Sequence, residues 1–347
     1  MAVERLVSPT ATTTIEPAEQ ERNWSLRPRT IAEYVGQPDL IERLGITIKA
    51  VKQRAEPMEH VLLHGPPGLG KTTLAHVIAE EMGTRVHLTS GPALTKPGDL
   101  VSVLTQMGEH EVLFIDEIHR LPIAVEEFVY PAMEDFRIDV RVESGMHART
   151  VQVPLKPFTL IGATTRAGLV SSPLRSRFGI THALRYYSAE ELLVILKRSA
   201  GLLSVDGDGR ALELIADRSR GTPRIANRLL RRVRDYAQVK GNGRLTTGMV
   251  GDALTLEGID GLGLDELDRS YMRVIATTYG GGPVGLEAVA ATLNHDSGTL
   301  EDVVEPYLLQ CGFVARTKRG RALTKAGAGH IGMPHAGVVG SAELFEG

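Results

Sequence analysis

The chain has 347 residues, 42% hydrophobic and 23% charged, enough apolar material for two or three globular domains. Its 39 Lys and Arg against 42 Asp and Glu leave a net charge of -3, so nucleic-acid binding has to be sought in local patches. The single Cys311 excludes an internal disulfide framework and a multi-cysteine zinc site, and no apolar run reaches the ~18 residues of a membrane helix.

Residues 1–23 are rich in Thr, Glu, Ala and Pro without periodicity and predict a mobile arm. The opening lacks the basic-then-apolar order of a signal peptide, so the chain reads as cytoplasmic. Order is expected from Trp24. Over residues 24–186, the β-type runs HVLLHG, RVHLTS, EVLFID and FTLIGATT alternate with stretches of helical spacing, which predicts a parallel α/β sheet.

GPPGLGKT, from Gly65 to Thr72, fits the G-x-x-x-x-G-K-T phosphate loop in full, follows a strand and opens the helix TTLAHVIAEEM. Gly65, Gly68 and Gly70 let the backbone N–H groups face phosphate oxygens. Lys71 then reaches the outer phosphates of ATP, Thr72 ligates Mg2+, and Thr73 completes the set in the loop-to-helix turn. A glycine-rich turn that binds nothing is the rival, and the strand-loop-helix context argues against it. VLFIDE supplies the acidic strand end: Asp116 for the magnesium shell and Glu117 to polarise the attacking water.

RIDVRV alternates Ile138, Val140 and Val142 with charged residues, and VQVPL follows a polar turn at Ser144 and Gly145. This predicts a projecting β-hairpin over 137–155, whose apolar face either folds down or docks a partner. FTLIGATT ends in Thr164 and Thr165; one of the two meets the γ-phosphate or the water, and Thr165 is the candidate. SPLRSRFGI then carries Arg175 and Arg177.

From 187 to 258 the β-type runs cease and apolar residues recur at helical spacing, predicting a helical lid. Between Arg220 and Arg234 it holds six arginines and no acid, of which all but Arg224 are expected to pair with acids across subunits. The unit 262–333 reads as three helices and a basic hairpin, a winged helix-turn-helix, and 334–347 as a tail. Its last helix is expected to be capped by Ser297, to bury Leu300, Val303, Val304, Tyr307 and Leu308, and to expose Glu301, Asp302 and Glu305. Three carboxylates repel phosphates, so DNA contact is assigned to the wing residues Arg316, Lys318, Arg319 and Arg321, without sequence specificity.

The phosphate loop, the DE strand, the ATT strand, LRSRFG and GTPRIANRLLRR together resemble the AAA+ ATPases. That resemblance implies a trans-acting arginine at Arg177 and a lid arginine on the subunit's own nucleotide at Arg224. The strings LRPRTIAEYVGQ, HGPPGLGKTTLA, FIDEIHRL, YPAMEDF, IGATTRAG, RGTPRIANRLLRRVRDYA, GGPVGLEAVA and RTKRGR are similar to the RuvB family, from about Trp24 to Ile331. The wing departs from the family pattern in lacking a proline after its threonine. The resemblance implies a bacterial hexameric motor, a DNA-translocating ATP hydrolase of helicase type that drives branch migration of Holliday junctions in recombination, repair and the SOS response to DNA damage. It implies Leu26, Arg27 and Tyr34 beside the adenine, Tyr187 on the nucleotide, and Glu134, Asp135 and Phe136 near the nucleotide-bearing interface. A RuvA-like junction-binding partner on the hairpin and a RuvC-like resolvase are also implied. The alternative is an AAA+ winged-helix protein that binds a replication origin and uses ATP as a switch; the acidic helix argues against it.

Overall fold

Alternate residues of the apolar runs face opposite sides of one sheet. Val61, Leu63, Phe114, Ile161 and Ala163 enter one core, while Leu62, Leu113, Ile115 and Leu160 enter a second. Strands buried on both faces carry continuous apolar runs, as expected for a parallel sheet. In the computed structural model the described residues are 26–141 and 150–334. The expected arm with Trp24, the hairpin residues Val142, Ser144 and Gly145, and the tail beyond 334 lie outside them.

The strands of the first unit are β1 (Val61–His64), β2 (Val86–Ser90), β3 (Val112–Asp116), β4 (Arg137–Arg141), β5 (Thr150–Pro154), β6 (Thr159–Thr164) and β7 (Ile180–Ala183). Five make a parallel sheet in the order β2-β3-β6-β1-β7, and β4 and β5 pair antiparallel. The edge strand β7 was not expected from the sequence. Helices α1 (Pro38–Arg54) and α2 (Lys71–Met82) cover one face, and α3 (Pro97–Gln106) and α4 (Ile123–Asp135) the other. The hairpin is rooted rather than free: Ile138 is fully buried in the second core, whereas Val151 is 46% exposed. Among the described residues of the hairpin, Val151 leaves part of the apolar face open to solvent.

The lid consists of α5 (Ala189–Leu202), α6 (Gly209–Asp217), α7 (Pro223–Lys240) and α8 (Thr247–Leu256). Ser188 and Glu191 close a reciprocal cap at the start of α5, satisfying backbone donors that would otherwise lack partners. The third unit contains α9 (Glu266–Thr277), α10 (Leu286–Leu293), the helical run α11 (297–310), β8 (Val314–Thr317), β9 (Gly320–Leu323) and α12 (Lys325–His330). Its own core holds Tyr271, Met272, Val289, Leu300 and Leu308.

Three expectations for α11 are corrected. Asp296, not Ser297, caps it, accepting from the Thr299 N–H at 2.9 Å. Val303 is 55% exposed, because the turn widens over Leu300–Val304 and rotates it off the core face. Glu305 is completely buried. It accepts from the Tyr271 hydroxyl at 2.5 Å, from Arg316 Nε at 2.9 Å and from Arg321 Nε at 2.8 Å, and these partners make burial of a carboxylate tolerable.

Arg220 corrects the expectation of pairing across subunits. It is buried within the chain, reaching from the lid to the Gly263 carbonyl at 2.6 Å, to Asp265 at 2.9 Å and to Asp268 at 2.5 Å. Burial outweighs the arginine at Asp268 and pushes its carboxyl up to about 7, while Asp265 stays below the usual carboxylate range. Below that value the cluster balances one cation against one anion and a neutral acid. Because the folded state holds the Asp268 proton more tightly than the unfolded chain does, this residue's contribution to stability declines as pH rises from roughly 4 to 7. Asp268→Asn is therefore expected to gain on the parent chain by about 1.4 kcal/mol per pH unit across that window. Denaturant titrations of both chains at pH 5 and pH 8 check this; a constant difference would contradict it.

Candidate functional site

Parallel pairing brings the C-terminal ends of β1, β3 and β6 to one edge of the sheet. His64 lies opposite Thr164, and Ser90 opposite Asp116. The phosphate loop leaves β1 at that edge, with Gly68 at φ 84 and Gly70 at φ 97, values that a side chain disfavours. At both, a Cβ would also be crowded: at Gly68 it would stand 3.1 Å from the Arg224 side chain, and at Gly70 3.0 Å from the Tyr34 hydroxyl.

Lys71 is buried at the first position of α2, its ammonium donating to the carbonyls of Gly65 at 2.7 Å and Pro66 at 2.9 Å. Burial lowers its pKa, Asp116 and Glu117 oppose that shift, and Arg224 adds to it. Arg27 is brought down to about 10 by burial and by Arg224, and His76 to about 4 by burial and by Arg27. Lys71, Arg224 and Arg27 thus converge and repel, an arrangement that a polyanion relieves. Thr72 and Asp116 line one open cleft beside the loop, and a hydroxyl and a carboxylate are the hard oxygen donors that Mg2+ takes alongside phosphates.

Glu117 follows β3 in the left-handed region, at φ 49, a conformation costly for this residue type and concentrated at functional sites. Burial, and next the Asp116 charge, raise its carboxyl above the usual range, with Lys71 opposing. Thr165 Oγ1 donates to it at 3.4 Å, and His119 Nδ1 lies 3.5 Å away. Thr164 is fully buried; its hydroxyl is 2.8 Å from His119 Nδ1 and accepts from the Arg166 N–H at 2.9 Å. Of the two threonines, Thr165 is the one that faces the acid.

The lid closes over the loop through Tyr187 and Arg224. The Tyr187 hydroxyl is 3.0 Å from that of Tyr34 and 3.3 Å from the Leu69 carbonyl, and the Arg224 N–H reaches the Gly68 carbonyl at 3.4 Å. Leu26 is buried, and Arg198 of the lid holds the Arg27 carbonyl at 2.9 Å.

Arg177 lies elsewhere. It precedes β7, whose first residue, Ile180, pairs with Val61 at the start of β1, so Arg177 sits toward the opposite end of the sheet from the loop. Its guanidinium is 3.2 Å from Glu134, donates to the Pro173 carbonyl at 2.7 Å, and stands 4.3 Å over the Tyr130 ring. Phe136 packs against His60 and Phe158, with ring centroids 6.5 and 5.9 Å away, and Asp135 pairs with Arg137 at 3.0 Å. Glu134, Asp135 and Phe136 therefore do not join the other nucleotide residues within the subunit. Arg175 donates to the Ala167 and Val170 carbonyls, bracing the segment after β6.

On the wing, Arg316 and Arg321 both bind Glu305, while Lys318 and Arg319 at the tip are exposed. Among the described residues no carboxylate pairs with either tip residue. Sequence reasoning overlooked Arg166, quoted only within IGATTRAG; its position directly after the two threonines was the available signal.

This combination of a phosphate loop, an acid two strands away and a helical lid defines an AAA+ nucleotide-hydrolysing domain. Three family models cover the described chain almost end to end: a Holliday junction DNA helicase RuvB P-loop domain over residues 26–184, a RuvB AAA lid domain over 187–260, and a RuvB C-terminal winged helix domain over 261–332. The chain belongs to the RuvB family. It is 53% identical over 322 residues to the Holliday junction branch migration complex subunit RuvB of Kosmotoga olearia, covering 93% of this chain and 94% of that protein. Its identity to the protein of the same name from Desulfosudis oleivorans is 55% over 314 residues, covering 90% and 92%. The solved structure of the Thermotoga maritima RuvB Holliday junction branch migration motor superposes with a TM-score of 0.81 at 50% identity, covering 89% of this chain and 99% of that one. Among the described residues no helix is long and apolar enough to cross a membrane.

Proposed function

We propose that the chain is an ATP-driven DNA motor of helicase type that moves four-way junctions, working in the bacterial cytoplasm as a ring of subunits, six being the number the family resemblance implies. The observation that carries this reading is the division of one catalytic set between two places. Lys71, Glu117 and Thr165 share an edge of the sheet, whereas Arg177 is fastened to Glu134 away from it. A neighbouring subunit that presents Arg177 to this edge completes the site. Glu134, Asp135 and Phe136 then belong to the presenting surface.

In this mechanism the loop amides, Lys71, Arg27 and Arg224 hold the phosphates, and Leu26, Tyr34 and Tyr187 bound the rest of the nucleotide. Thr72 and Asp116 would hold Mg2+, which would supply neutralisation of charge on the outer phosphates. Glu117 orients the water and takes up its proton, aided by a raised carboxyl pKa, and Thr165 aligns Glu117 with the γ-phosphate. Tyr187 and Arg224 then report loss of that phosphate to the lid. The outer face of hairpin 137–155, with Val151, takes the RuvA-like partner, and a RuvC-like resolvase acts on the junction.

Strand exchange on synthetic four-way junctions tests this reading. ATP-dependent dissociation into duplexes is expected on unrelated sequences; absence of dissociation both with and without the RuvA-like partner refutes the motor. ATPase stimulation by one sequence alone favours the origin-binding alternative. At the wing, Lys318→Ala combined with Arg319→Ala is expected to weaken duplex binding equally across sequences. The slope of log K against log salt should fall by about 2. Unequal loss among sequences would contradict phosphate contact.

A further inference from the structure

The winged domain reaches the catalytic edge through one arginine. Arg166 follows Thr164 and Thr165 directly, and its backbone N–H donates to the Thr164 hydroxyl at 2.9 Å. Its side chain crosses to α11, where Nε and Nη2 donate to Asp302 Oδ1 at 3.1 and 3.0 Å and Nη2 lies 2.9 Å from Glu301 Oε2. Glu301 is in turn 3.7 Å from Arg316 and 3.6 Å from Arg321. An unbroken series of charge contacts therefore runs from the wing to the loop that aims Thr165 at Glu117.

We infer that Arg166, clasped by Glu301 and Asp302, is a positioning residue for hydrolysis, through which the winged domain and the nucleotide site set each other's state. The clasp is suited to this role because it is half-exposed: the side chains of Arg166, Glu301 and Asp302 are 32, 30 and 37% accessible. Contacts of that kind open and close readily, unlike the buried Arg220 junction. The role of the clasp in DNA response rests on the proposed function; its role in hydrolysis does not.

A double-mutant cycle on the full chain, measured by steady-state ATPase without DNA, tests the clasp. Arg166→Gln alone, and Asp302→Asn combined with Glu301→Gln, are each expected to lower kcat about fivefold or more with little change in KM, at the lower end of usual coupling between sites. Because both act through one link, the combined chain should be no slower than the slower parent. The swap of Arg166→Asp with Asp302→Arg should recover most of the lost rate, which a merely structural role would not produce. In parallel, stimulation by a random-sequence duplex should fall toward one in the unswapped variants, while the duplex Kd of Arg166→Gln, which leaves the charges of the winged domain intact, stays near that of the parent chain. Multiplicative effects on kcat, or a swap that rescues nothing, overturn the clasp whatever the wing binds. Non-additive effects in a parent chain that binds no duplex uphold the clasp and remove DNA from the proposed function.

Discussion

Arg177→Ala is expected to leave ATP affinity almost unchanged while lowering kcat by about a thousandfold or more, the scale of arginine fingers supplied in trans. Its guanidinium makes its contacts with Glu134, Pro173 and Tyr130, so the subunit's own phosphate pocket keeps Lys71, Arg27 and Arg224 after the substitution. The loss falls on the developing charge of the transition state, which this cation would meet across the subunit boundary. Mixing provides the decisive measurement. Glu117→Gln subunits have an idle acid but an intact Arg177, and Arg177→Ala subunits have the reverse. In mixed rings an intact Glu117 meets an intact Arg177 at some boundaries, so activity should return above that of either variant alone. If mixing restores nothing, Arg177 does not act in trans.

Lys71→Met is expected to weaken ATP binding by about tenfold to several hundredfold, the equivalent of one or two charge-assisted hydrogen bonds. The ammonium is already fixed by two carbonyls before any phosphate arrives, so little ordering cost offsets its contribution. The same substitution removes a desolvated cation that repels Arg224, which compensates for the two abandoned carbonyls. Melting temperature without nucleotide should therefore barely move, while the rise produced by ATP should vanish. Titration calorimetry and thermal melts separate the two effects; unchanged affinity would exclude Lys71 from the phosphates.

The meeting of the candidate residues at one sheet edge was largely legible in the sequence because its parts are local. A loop of eight residues, a strand ending in Asp116 and Glu117, and a strand ending in two threonines each carry their own pattern, and parallel pairing brings the ends together. Strand β7 went unread because it is only four residues long, half-buried and without a continuous apolar run. Glu305 was misread for another reason. Its partners Arg316, Arg321 and Tyr271 are 11, 16 and 34 residues distant, so nothing near it marks the carboxylate as buried. Arg166 is the same case at 136 residues from Asp302. Helical spacing also sent Val303 inward, where the widened turn sends it outward. Chemistry carried by neighbours in sequence was readable, and electrostatics assembled from residues distant in sequence was not.

The Arg220 junction has a mechanical consequence. The connection between lid and winged domain is gripped from both sides: Arg220 holds Gly263, the Tyr307 hydroxyl holds the Leu262 carbonyl at 2.7 Å, and His330 meets Asp260 at 2.8 Å. With no slack at that joint, the winged domain is a stiff lever whose fulcrum lies beside Arg224 and the phosphate loop. A domain of about 70 residues is roughly 25–30 Å across, so a turn of the lid by about 10° sweeps its far end through ~5 Å. That stroke is of the order of one to two base-pair rises, each about 3.4 Å. By leverage alone, a sub-ångström shift beside the phosphate loop would become a displacement on the scale of the base-pair rise.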